Sequence, residues 1–108
     1  MVETRKLLKL AKKIAGKNVH KRLKRISDKD ELKEATQYTI ISSLKEEYQN
    51  MEIEIKRLEH QMKDVFFARN KLLRIPSKIR YFQINFDENE FDKLARLFES
   101  VRREIENV

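Results

Sequence analysis

Along the middle of the chain, Ile41, Leu44, Tyr48, Met51, Ile55, Leu58, Met62 and Val65 recur at alternating steps of three and four residues. The series reaches Leu72 with Arg69 as its one charged member. That spacing returns side chains to one stripe of an α-helix and is the signature of a heptad seam. Phe91, Leu94, Phe98, Val101, Ile105 and Val108 repeat it near the C-terminus. Asp28 followed by Glu31, and Asp87 followed by Glu90, place a side-chain cap and an acid at the start of each series, as a capping box requires. Between Asp28 and Ile75 there is no Gly or Pro. The pattern therefore predicts a long helix over 28–75, which would run roughly 70 Å if unbroken, with a bend or short break expected near Gln49 and Asn50. A connector over 76–87 and a C-terminal helix over 88–107 follow.

Upstream, Leu7, Leu10 or Ala11, and Ile14 share one face of a short helix over Glu3–Ala15 that stops near Gly16. Val19, Leu23 and Ile26 share one side of a second short segment. In the connector, "KIRYFQINF" alternates Tyr81, Gln83 and Asn85 with Phe82, Ile84 and Phe86, which predicts a short strand or an extended link after Pro76. The fold class expected is mainly α: a helical bundle or long helical hairpin with heptad seams and at most one short strand in the connector. It reads as one domain, with a basic segment over 1–26 and a helical part over 27–108.

Composition narrows this further. A 108-residue chain with 40% apolar and 40% charged residues covers a thin helical core, and its single Gly and single Pro leave little turn chemistry for an all-β fold. Two seams and a lone strand expose more apolar surface than so short a monomer buries, so an oligomer or partner complex is expected. With no Cys there are no disulfides or thiolate ligands, which fits a cytoplasmic or nucleoid-associated protein. No apolar run approaches the ~20 residues of a membrane span, so no membrane partner is expected.

Charge is segregated. Ten Lys or Arg stand against one acid, Glu3, in residues 1–26, a balance of +9 where the whole chain carries +7. Lys12, Lys13, Lys17, Lys21, Arg22, Lys24 and Arg25 are the candidate contacts to DNA phosphates, without sequence preference. A second basic stretch, "FFARNKLLRIPSK", opens at Phe66. Its Phe66, Phe67, Leu72, Leu73 and Ile75 are expected to pack inward while Arg69, Lys71 and Arg74 point out. The seam residues from Ile41 to Val65 are the candidate core or partner interface. His20 and His60 lie forty residues apart with no ligand-spaced acid, so no metal or other cofactor is expected. Neither a phosphate loop nor an acid–base constellation is present, and a non-enzymatic role follows.

A basic entry, then "TIISSLKEEYQNMEIEIKRLE", then "VFFARNKLLRI", then "FDENEFDKLARLFESVRREI" resembles the helical A domain of the GINS replication-factor family, in the archaeal subunit where that domain comes first. Arg69, Lys71, Leu72 and Leu73 correspond loosely to the family's basic-and-aliphatic helix end, and Phe86, Asp87, Glu88 and Glu90 to its acidic restart. The resemblance covers about 31–105. It implies a non-catalytic scaffold whose partners are other GINS-type subunits and replicative-helicase components. The family's small β-rich domain has no counterpart in these residues, and the basic first 26 residues are not a family hallmark. Two further readings stand beside it: a small basic nucleic-acid-binding helical oligomer, and a helical adaptor or chaperone resembling prefoldin, which also joins two long helices by a β connector.

Overall fold

Alternation of three and four residues does give helices throughout. The computed structural model describes residues 4–108, so Glu3 of the expected first helix lies outside it. The described residues form α1 (Thr4–Ala15), α2 (Lys17–Lys24), α3 (Lys29–His60), α4 (Phe66–Leu72), α5 (Ile75–Asn85) and α6 (Glu88–Glu106). They contain no strand. The mainly-α expectation is met.

The principal axis is set by α3, whose 32 residues rise about 48 Å. The molecule measures 51 × 25 × 16 Å, and its radius of gyration of 15.5 Å exceeds the roughly 13 Å of a compact chain this long. Every other helix packs on α3; α1 and α2 also pack on each other, and α6 packs on α4 and α5. One core runs through the bundle, from Leu7 and Leu10 through Ile40, Leu44 and Ile55 to Phe82, Leu94 and Val101. Its buried polar member, Thr36, donates its hydroxyl to the Leu32 carbonyl at 2.6 Å, so nothing polar is left unsatisfied there.

The caps at the two acidic starts are present. Asp28 accepts from the amides of Asp30 and Glu31, and Asp87 from that of Asn89. These side chains satisfy amides that the first turn of a helix otherwise leaves without partners.

The long helix over 28–75 is corrected. No break occurs at Gln49 and Asn50; α3 runs on and stops at His60. There the Lys63 amide donates to the Leu58 carbonyl and the Met62 amide to the Glu59 carbonyl, with Met62 at φ 62. This is a Schellman stop, usually signalled by Gly and here carried by Met.

The connector is corrected as well. Residues 75–85 are helical, with Pro76 in the first turn, where its missing amide is tolerated. Leu73 and Arg74 between α4 and α5 keep right-handed helical angles, so the two helices are nearly one, interrupted where proline cannot donate. Val65, Ala68, Leu72, Ile75, Ile79, Phe82 and Phe86 are all buried, at unbroken steps of three and four. The extended connector on which the prefoldin-like reading relied is therefore a helix carrying a third heptad stripe. It ends at Phe86, which adopts φ 52 and is held by rings: Phe82 lies 5.0 Å from Phe86 and 5.7 Å from Phe91.

Candidate functional site

Three groups of residues compete for a functional role: the central seam, the basic N-terminal residues, and the outer side of α4 and α5. The seam is mostly core. Ile41, Leu44, Met51, Ile55 and Leu58 are buried, Tyr48 is half-buried, and Val65 is buried beyond the end of α3. Met62 does not belong to it: at the turn its side chain is 93% exposed. The seam is thus filled largely by the chain's own helices and leaves little for a partner.

The expectation for Phe66, Phe67 and Leu73 is overturned. Leu72 and Ile75 are buried, but Phe66 and Phe67 are 63% and 66% exposed, in edge contact with each other at 5.5 Å, and Leu73 is likewise exposed. The physical reason is phase. Val65, Ala68 and Leu72 take the inner stripe, and a helix that buries those positions must turn 66 and 73 outward. Tyr81 and Ile84 of α5 are exposed too.

The cations nearby divide in two. Arg69 pairs with Glu59 at the end of α3, and Lys71 with Glu104 of α6 at 2.7 Å, so both brace helices rather than extend outward. Arg74, Lys78 and Arg80 have no ion-pair partner among the described residues, and no acid occurs from Val65 to Phe86. The side of α4–α5 turned from the core therefore combines large apolar side chains with unneutralised positive charge. Sequence reading missed this face because it assigned the aromatic residues to the core and the next segment to a strand; continuing the stripe past Pro76 finds it.

On the N-terminal hairpin, Gly16 alone joins α1 to α2 at φ 91 and ψ 175, a region essentially reserved for glycine. Leu7, Leu10, Ala11 and Leu23 bury the inner face. The seven candidate phosphate contacts are exposed, but they are not equivalent. Lys13 sits 5.8 Å from the centre of the Phe91 ring and, with Lys6 and Lys9, borders a hollow of about 200 Å³ closed by Glu88 and Asp92. Arg22 lines an open groove between α2 and α3 that contains Glu46. Lys12, Lys17, Lys21, Lys24 and Arg25 line neither of these two. Partial burial first, and then the charges of Lys24 and Lys12, hold the His20 imidazole below its ordinary range.

Elsewhere, charge serves packing. Glu52 pairs with Lys56 at 3.2 Å, Glu54 with Arg57, and Glu47 reaches Arg102 across to α6. The Arg57 hydrogen bond holds the Glu54 carboxyl below its usual range. Among the described residues, no group of three or more His, Cys, Asp or Glu is placed to hold a metal ion, and no helix is long and apolar enough to cross a membrane. The chain matches no family model, no curated protein and no solved structure.

Proposed function

We propose that the chain is a non-catalytic assembly subunit whose α4–α5 face receives an acidic amphipathic helix of a different-sequence partner. The observation that carries this is the outer side of α4–α5, where Phe66, Phe67, Leu73, Tyr81 and Ile84 are each more than half exposed beside the unpaired Arg74, Lys78 and Arg80. Aromatic side chains and Arg in one patch are the composition of interface cores, and contiguous apolar surface is unusual on a free monomer. A second copy of the chain is the poorer occupant. Two-fold pairing through this face brings together two sets of Arg74, Lys78 and Arg80 with no acid from Val65 to Phe86 to separate them, and like charges so placed repel. The resemblance to the GINS helical domain supports a particular setting: scaffolding of a replicative helicase, with other GINS-type subunits as partners.

A photocrosslinking residue at Tyr81, incorporated in the native host, tests this. The expected adduct joins the chain to a different protein through an acidic amphipathic helix, and disappears when Phe66, Phe67 and Leu73 are changed to Ser. An adduct to a second copy of the chain, or no adduct in cells that hold the protein in a larger assembly, refutes it. A GINS-type subunit or helicase component in the adduct supports the replication setting; an unrelated protein refutes that setting and leaves the docking face standing.

A further inference from the structure

Ion pairs join cations of α3, α4 and α6 to carboxylates. Among the described residues, Lys56, Arg57, Arg69, Lys71, Lys93, Arg102 and Arg103 all lie within ion-pair distance of a carboxylate. The Lys and Arg of α1 and α2 lie within such distance of no carboxylate among the described residues. Lys6, Lys9, Lys13 and Arg22 still face acids across a hollow or groove. Lys12, Lys17, Lys21, Lys24 and Arg25 line neither of them. Lys17, Lys21 and Lys24 repeat at steps of four and three, a ridge about 10 Å long on the side of α2 turned from Leu23. Lys12 of α1 and Lys24 of α2 both act on the His20 ring, so charge from each helix reaches that one imidazole. Like charges stacked in this way destabilise a helix, and an external polyanion removes the penalty.

We infer that Lys12, Lys17, Lys21, Lys24 and Arg25 form a phosphate-binding ridge that holds a nucleic-acid backbone without reading its bases. An acidic protein partner fits less well. Protein interfaces are anchored by large apolar or aromatic side chains, and among the described residues the exposed ones, from Tyr38 to Ile84, lie outside α1 and α2. Four of its five members are Lys, whose flexible point charge meets phosphates without fixing a base-reading geometry. It is independent of the α4–α5 face, since it shares no residue with it.

The test is fluorescence anisotropy of the whole chain on a 20-base-pair duplex, repeated between about 50 and 200 mM salt. Five neutralised phosphates give a log–log slope of about −4.5, a weakening of roughly 500-fold over that range. The triple variant K17Q/K21Q/K24Q is expected to lower the slope to about −1.8, a weakening of about 12-fold, with an unchanged circular dichroism spectrum and melting temperature. K6Q/K9Q/K13Q is expected to retain the full slope. A single strand of the same length gives about −3.5 for the same five contacts, and the tighter of the two identifies the form bound. In NMR titrations, the His20 ring is expected to protonate at higher pH once duplex is bound, because phosphates offset the fields of Lys12 and Lys24. An unchanged slope in the first triple variant, or its loss in the second, overturns the assignment. So does a polyglutamate of equal charge that competes as well as the duplex, which would make the ridge a protein-binding surface.

Discussion

Ile79 and Ile84 lie five residues apart in a segment that sequence alternation reads as extended and the structure shows as helical. Changing each to Ala distinguishes the two. On a strand, Phe82, Ile84 and Phe86 share one face, so Ile84 would sit with the core aromatics and Ile79 opposite them. In α5 the order reverses: Ile79 is 3% exposed and Ile84 is 73% exposed. Ile79→Ala removes buried carbons and leaves a cavity, at a loss of about 2–5 kcal/mol. Ile84→Ala forfeits only the remaining quarter of its burial, about 0.5 kcal/mol, and regains a comparable amount because Ala favours helix over a β-branched residue. Its net effect is near zero. Against a total stability of about 5–15 kcal/mol, the first change is large, lowering the melting temperature by at least about 8 °C, and the second is close to invisible. Urea unfolding followed by circular dichroism measures both, with a constant dependence on denaturant confirming that only stability has moved. A loss at Ile84 equal to or greater than that at Ile79 would refute the helical assignment and the third stripe with it.

Two other predictions address the chain reversals. Met62→Gly removes a left-handed conformation that costs a non-glycine residue about 1 kcal/mol, and the lost side chain is 93% exposed; a gain of about 0.5–1 kcal/mol in urea midpoints is expected, and a loss would show that Met62 packs on something. Gly16→Ala meets no atom within 4 Å, so any damage comes from φ 91 alone. A loss of about 1–3 kcal/mol is expected, with faster amide exchange confined to α1 and α2, and a neutral result would mean that the hairpin turns differently.

What was legible in the sequence was whatever rests on local chemistry. Asp28 and Asp87 announce helix starts because a short acceptor side chain before an amphipathic series has one main use. Phe91 to Val101 read as a buried stripe and are one. The end of α3 was not legible, since a Schellman stop built on Met62 carries no glycine and the apolar spacing runs straight across it. Residues 76–86 were misread because "YFQINF" satisfies a two-residue period and a 3.5-residue period together; Ile75 and Ile79, just upstream, fit only the second. The exposure of Phe66 and Phe67 depends on which positions of α4 win the inner stripe, and that is decided by packing on α3 and α6. The basic ridge was visible as composition. Its division into cations that face acids and cations that do not required the neighbouring helices, because Glu46, Glu88 and Asp92 are remote in sequence.

The third stripe has a consequence for how this chain tolerates changes of length. Because Val65 to Phe86 keep one register across the Pro76 interruption, each inner position downstream depends on the number of residues before it. Deleting one residue between Leu73 and Ile79 turns the rest of the helix by about 100° and offers Arg80, Gln83 and Asp87 where Ile79, Phe82 and Phe86 had been. Inserting one offers Lys78, Tyr81 and Asn85. Neither set builds a core, whereas adding seven residues restores the phase and merely extends the helix by about 10 Å. Whole heptads are thus the length changes that leave this core intact, while a residue added between Lys63 and Val65 falls before the stripe begins and leaves its register unchanged.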